Sequence, residues 1–268
     1  MPRIRPPAVA DMFYPADAQE LQGMIKRYLH ETAESTETAS VPKAIIVPHA
    51  GYVYSGPVAA SAYARLLPAR QKIRRVVLLG PSHRVPLLGL ASSGADAFST
   101  PLGTIPLDRQ AIENVEQLPQ VHRLDEAHTL EHSLEVQLPF LQDVLDDFTL
   151  VPLVVGDASP AEVAEVLEAL WGGQKTLIVV SSDLSHYHDY DTASVLDSAT
   201  SQAIEQLQLE RIHGENACGC RAINGLLYLL KKHAPEPDLH GQTLDLRNSG
   251  DTAGARDRVV GYGAYVFA

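Results

Sequence analysis

Three polar segments that carry histidine each follow a short run of apolar residues in this 268-residue chain. The side chains and the runs they follow are His49 after Ala44–Val47, His83 after Val76–Leu79, and Asp183 with His186 after Thr176–Val180. Neutral imidazole is a common ligand for first-row metals, and two histidines with one anionic ligand form the usual facial set for Fe(II). The pattern therefore predicts a metal site.

The residues alone leave the anionic ligand open. Asp183, the carboxylate of Glu131 or Glu135, and the thiolate of Cys218 all have suitable chemistry. The two glutamates are expected to share one face of a helix, and Cys218 is expected in the first turn of another, where the helix dipole favours a thiolate. His128 and His132 are four residues apart, but no H-E-x-x-H motif joins them, so neither is assigned to the site.

The elements that must position these side chains are strands and helices in alternation. Continuous apolar runs, which include Leu150–Val155, predict strands of a sheet covered on both faces, and Val259–Phe267 is expected to close it. The helix candidates cover about Ala18–Leu29, Pro57–Leu67, Leu130–Leu145, Ala161–Leu170, Ala193–Leu207 and Cys218–Lys232. The polar stretch Glu31–Ser40 predicts a loop. We expect one three-layer α/β/α domain over residues 1–268, with the polar turns gathered at the carboxyl edge of its sheet.

Composition narrows the function classes. The 21 Lys and Arg against 33 Asp and Glu give a net charge of −12, which disfavours binding to nucleic acid or anionic membrane. No run of eighteen apolar residues predicts a membrane span, and the first residues lack the apolar core of a signal peptide. With only Cys218 and Cys220 there is no disulfide framework, so we expect a cytoplasmic protein.

Several segments in order resemble the signatures of the Memo family. They are Arg5-Pro6-Pro7-Ala8-Val9, Phe13-Tyr14-Pro15, Pro48-His49-Ala50-Gly51-Tyr52, Gly80-Pro81-Ser82-His83, Glu131-His132-Ser133-Leu134-Glu135, Ser181-Ser182-Asp183-Leu184-Ser185-His186, Ala217-Cys218-Gly219 and Val260-Gly261-Tyr262. The resemblance runs nearly end to end. It implies a fold similar to that of the class III extradiol ring-cleaving dioxygenases, which hold non-haem Fe(II) with two histidines and a glutamate.

The resemblance also implies roles for individual residues. His49 and His83 correspond to the metal-binding histidines, and Cys218 stands where the dioxygenases have their glutamate. His186 matches the acid–base histidine, with Asp183 orienting it or a ligand. The thiol softens the ligand set, so iron or copper is expected and zinc also fits. We predict that Cys218 completes the set and that Cys220 is a bystander.

Two functions follow as hypotheses. The first is a metal-dependent redox enzyme that acts on a small molecule, as an oxidoreductase or a dioxygenase-like catalyst. The second is a non-catalytic module that keeps the pocket to bind a ligand or a peptide partner. The resemblance further implies, for prokaryotic relatives, a link to a radical-SAM protein in the AmmeMemoRadiSam system.

Overall fold

Strands and helices alternate through most of the computed structural model, which describes residues 2–32, 40–233 and 241–268. The strands are β1 (Ile4–Arg5), β2 (Ala44–Val47), β3 (Arg75–Pro81), β4 (Leu90–Ser92), β5 (Ala97–Thr100), β6 (Gly103–Pro106), β7 (Val121–Arg123), β8 (Thr149–Val155), β9 (Thr176–Ser181), β10 (His186–His188), β11 (Gly241–Asn248) and β12 (Val259–Phe267). The α-helices are α1 (Ala18–Thr32), α2 (Tyr52–Tyr63), α3 (Arg109–Val115), α4 (Asp125–Thr129), α5 (Leu138–Val144), α6 (Pro160–Leu170), α7 (Tyr190–Glu205) and α8 (Cys220–His233).

The main sheet has a parallel centre. Its strand order is β10-β12-β2-β9-β3-β8-β4-β7, and β11 also pairs with β12. Strands β2, β9, β3 and β8 run parallel to one another, with Ile178 of β9 opposite Val77 of β3 and Ala44 of β2. This arrangement confirms that the three predicted core strands are neighbours. Because they are parallel, their carboxyl ends lie at one edge of the sheet.

Helices cover the sheet, as the continuous apolar strands require. One group consists of α1, α2 and α5, which pack against one another, while α6 packs against α8 and α3. Every residue of β2 and β9 is buried, as are all residues of β3 and β8 except the first of each. The fold is the predicted α/β/α arrangement of three layers. A smaller sheet of β1, β5 and β6 lies beside it.

One predicted helix is wrong in a way that matters for the site. The segment predicted as a helix over Leu130–Leu145 is irregular at first, then forms a 3-10 turn over Glu135–Gln137 before α5 begins at Leu138. Pro139 explains the start of α5, because proline is tolerated in the first turn of a helix but not in its interior. Glu131 and Glu135 therefore do not share a helix face.

The ends of other helices lie closer to their predicted positions. Helix α6 begins as predicted, with Ser159 and Glu162 forming a capping box around its first turn. Helix α1 continues to Thr32, and residues 33–39 of the predicted loop lie outside the described residues. Among the described residues, no helix has the length and apolar character needed to cross a membrane.

Candidate metal centre

Three imidazoles meet at the carboxyl edge of the sheet. His49 follows β2, His83 follows β3, and His132 lies in the irregular segment before α5. One ring nitrogen from each lies within 4.8 Å of the other two. Three nitrogens that each lie about 2.1 Å from one ion are about 3.5 Å apart, so shifts of less than about 1 Å per nitrogen would bring all three onto one ion.

His132 reaches this site because the next-to-last residue of β3, Gly80, is a glycine. A Cβ atom at Gly80 would lie 2.7 Å from the Oγ atom of Ser133, so only glycine permits this close approach. The Ser133 hydroxyl in turn donates a hydrogen bond to the carbonyl oxygen of Pro81 at 2.9 Å. The segment that carries His132 is thereby fastened to the end of the strand that carries His83.

Glu131 orients two of the three rings. Its buried carboxylate accepts hydrogen bonds from the backbone N–H of His83 at 2.6 Å and from Nδ1 of the same residue at 2.9 Å. Nδ1 of His132 lies 3.4 Å from the same carboxylate. Burial by itself would raise the pKa of Glu131, but the hydrogen bonds from His83 outweigh it and hold the pKa at about 2. An ionised carboxylate only accepts, so Nδ1 of His83 carries the proton and its Nε2 is free to bind a metal.

His49 is oriented by a hydroxyl instead. The Ser181 hydroxyl donates to the carbonyl oxygen of Ser133 at 2.6 Å, so it accepts from Nδ1 of His49 at 2.8 Å. Nε2 of His49 is therefore unprotonated and free to ligate. His49 is 1% exposed, and burial, together with the neighbouring imidazoles, lowers its pKa well below the usual range. The ring is held neutral, which is the form that binds metals.

Cys218 lies beside Nε2 of His49. Its Sγ lies 3.4 Å from Nε2 of His49 and accepts a hydrogen bond from the backbone N–H of Asp183 at 3.3 Å. Burial and the charge of Asp183 raise the pKa of the thiol to about 12. The expectation that a helix terminus lowers this pKa is wrong. Helix α8 begins at Cys220, so Cys218 lies before its first turn, and burial dominates.

Asp183 and His186 belong to the same edge but have different partners. The Asp183 carboxylate accepts from the backbone N–H of His49 at 2.7 Å, and burial raises its pKa. The carboxylate thus supports His49, while the backbone N–H of Asp183 supports Cys218. His186 instead bonds through Nδ1 to the carbonyl oxygen of Leu184 at 2.8 Å. Since a carbonyl only accepts, Nδ1 is the donor, and in the neutral ring Nε2 is the acceptor.

These groups line one open cleft of about 900 Å³. His49, His83, His132, Asp183, His186 and Cys218 all contribute to its wall. Tyr187, at its rim, has a positive φ of 65° and a side chain that is 66% exposed. A bulky residue seldom adopts this backbone conformation, and such residues cluster at ligand sites. The cleft has the size and mixed wall of a small-molecule site.

The remaining candidates lie elsewhere. Glu135, the first residue of the 3-10 turn, is fully buried. It forms an ion pair with Arg5 at 2.6 Å and accepts a hydrogen bond from the Tyr14 hydroxyl at 2.6 Å. Cys220 faces a neighbouring cavity instead of the histidine cleft. His128 packs near Phe98, with Nε2 3.0 Å from the carbonyl oxygen of Ala91.

His132 is a donor that the sequence did not predict. Its spacing of four residues from His128 is not part of an H-E-x-x-H motif, so neither histidine was expected at the site. The signal that could have identified His132 is the segment Glu131-His132-Ser133, in which the histidine directly follows a carboxylate.

The fold and the site together define an α/β protein with a histidine-lined cleft of the kind that holds one metal ion. The model of the Memo-like protein family matches residues 5–266. Curated relatives named MEMO1 family protein come from Ignicoccus hospitalis (35% identity; 98% of each chain covered) and Aquifex aeolicus (35%; 99% of each). This chain therefore belongs to the Memo family. An uncharacterized protein from Escherichia coli K12 aligns with a TM-score of 0.45 and 14% identity, over 83% of this chain and 99% of its own.

Proposed function

We propose that this protein is a metal-dependent redox enzyme that holds one iron or copper ion at the histidine cleft and acts on a small molecule. The observation that carries the proposal is the convergence of His49, His83 and His132, whose ligand nitrogens lie within 4.8 Å of one another in an open cleft. Structural metal sites are closed by protein ligands, whereas a site that opens into a cleft leaves room for substrate.

The donor set fits such an ion. His49 and His83 would ligate through Nε2, because hydrogen bonds occupy the Nδ1 atom of each ring. Cys218 would supply the anionic ligand, and its 3.4 Å distance from Nε2 of His49 supports that assignment. His132 would serve as a further donor. Imidazole suits iron, copper and zinc, and a thiolate shifts the preference toward copper and zinc. When bound, iron or copper would supply one-electron and oxygen chemistry.

The chain's own residues would move protons and hold the site. His186 lines the cleft, and Nε2 of its neutral ring could take a proton from a bound substrate and later return it. Asp183 would keep His49 and Cys218 in place through its backbone and side-chain hydrogen bonds. Glu131 would do the same for His83 and His132.

Metal content and turnover test the proposal together. The protein would be purified without oxygen from cells grown with iron and copper, and its metals would be measured by elemental analysis beside a His49→Asn/His83→Asn variant. We expect about one iron or copper per chain in the parent protein and almost none in the variant. We also expect oxygen consumption by the parent protein when small-molecule extract is added. A ligand-binding module needs neither metal nor turnover, so their absence would contradict the proposal.

A further inference from the structure

A second cavity, of about 560 Å³, adjoins the histidine cleft and shares Cys218 and Gly214 with it as common wall. We propose that this cavity binds an apolar tail of the substrate whose metal-binding head lies at the histidines. The inference rests on the proposed function and specifies the substrate class: an elongated molecule with a chelating head and a mainly apolar tail.

The cavity lies at the same edge of the sheet as the metal centre. The ends of β3 and β8 form its floor, and residues at the starts of α6 and α8 close its sides. Cys218 and Gly214 line both spaces, so a molecule that contacts the histidines lies directly beside the second cavity. This adjacency favours one ligand that occupies both spaces over two separate ligands.

The wall explains why the tail should be apolar. Its apolar lining residues include Val85, Leu87, Val155 and Ile212, together with three prolines and two alanines. The charged members, Arg221 and Asp157, form an ion pair at 2.7 Å and neutralise each other at the exposed side. Among the described residues that line the cavity, Arg221 is the one lysine or arginine and Asp157 pairs with it, so the cavity is a poor site for a phosphate or carboxylate, whereas its apolar surface favours burial of hydrocarbon.

Alkyl hydroxamates test the arrangement, because they combine a metal-chelating head with a tail of chosen length. Binding of acetohydroxamate and octanohydroxamate to the full chain loaded with Zn²⁺ would be measured by calorimetry. Each buried methylene contributes about fourfold in affinity, so even partial burial of the longer tail should make octanohydroxamate at least tenfold tighter. Equal affinity for the two compounds would overturn the tail site while leaving the metal centre intact.

Two variants of one loop locate the tail. Val85→Trp fills the cavity and should selectively remove the advantage of octanohydroxamate. Leu88→Trp is the matched control, because Leu88 is 73% exposed and does not line the cavity, so it should retain the advantage. If Val85→Trp keeps the full advantage, the tail lies elsewhere and the inference fails. If neither hydroxamate binds in a metal-dependent manner, the proposed metal centre fails and the inference fails with it.

Discussion

Glu131 binds His83 twice, through the backbone N–H at 2.6 Å and through Nδ1 at 2.9 Å. The carboxylate thereby determines both where the His83 backbone lies and which ring nitrogen faces the cleft. The same carboxylate lies 3.4 Å from Nδ1 of His132, so one buried acid orients two potential ligands. Outer-shell carboxylates of this kind raise the basicity of ligating histidines.

The first prediction concerns this carboxylate. Glu131→Gln should lower Zn²⁺ affinity by about 10- to 100-fold, because the uncharged amide no longer enforces protonation of Nδ1 on His83. Competition with a chromogenic chelator would measure the affinity. Glu126→Gln is the control, since Glu126 is exposed and outside the cleft. Equal affinity in the two variants would show that Glu131 does not position the ligands.

The second prediction concerns pH. The pKa of Cys218 is raised to about 12 without metal, so the thiol must lose a proton when it ligates. Burial lowers the pKa of His49 and of His132, so between about pH 7.5 and 9 loss of the thiol proton should dominate and Zn²⁺ affinity should increase about tenfold per pH unit. Chelator competition at several pH values would follow this increase.

Two serine variants separate the cysteines in that experiment. Cys218→Ser should bind Zn²⁺ more weakly and show little dependence on pH, while Cys220→Ser should behave like the parent protein. If the pH dependence disappears with Cys220, or is absent from the parent protein, Cys218 is not a ligand.

The third prediction concerns stability. Glu135→Gln should lower the free energy of unfolding by about 3–5 kcal/mol, because it leaves the charge of Arg5 buried without its partner. Urea denaturation followed by circular dichroism would measure the change, with Glu126→Gln as the surface control. A loss below about 1 kcal/mol would mean that solvent reaches Arg5 and screens its charge.

The fourth prediction concerns the segment that carries Cys218. A Cβ atom at Gly219 would lie 2.7 Å from Cβ of Ser182 and 2.8 Å from the carbonyl oxygen of Ser181, so Gly219→Ala must move the thiol away from β9. We expect a loss of about 1–3 kcal/mol in stability and weaker Zn²⁺ binding. Gly173→Ala is the matched control, since a Cβ there meets nothing within 4 Å. Unchanged metal affinity in Gly219→Ala would contradict the proposed role of Cys218.

Much of the fold was predictable because local patterns specify it. The apolar runs of β2, β3 and β9 identified the centre of the sheet, and their parallel pairing explains why His49, His83 and Asp183 meet. The segment before α5 was not predictable in this way. Its apolar spacing is typical of a helix, but Pro139 is compatible only with the first turn of a helix, so α5 begins at Leu138. Before it, the side chain of Glu131 accepts a hydrogen bond from the backbone N–H of Ser133.

The apolar runs were enough to predict five of the twelve strands (β2, β3, β8, β9 and β12), the α/β/α class and the histidines that follow β2 and β3, since burial of continuous apolar runs leaves little freedom of arrangement. Which other side chains join these histidines depends on how the chain packs. Glu131 and Glu135 lie only four residues apart in the sequence, yet Glu131 binds His83 while Glu135 pairs with Arg5. Cys218 sits against His49 because Gly219 permits contact with β9. These outcomes depend on contacts between distant segments, which no local spacing encodes.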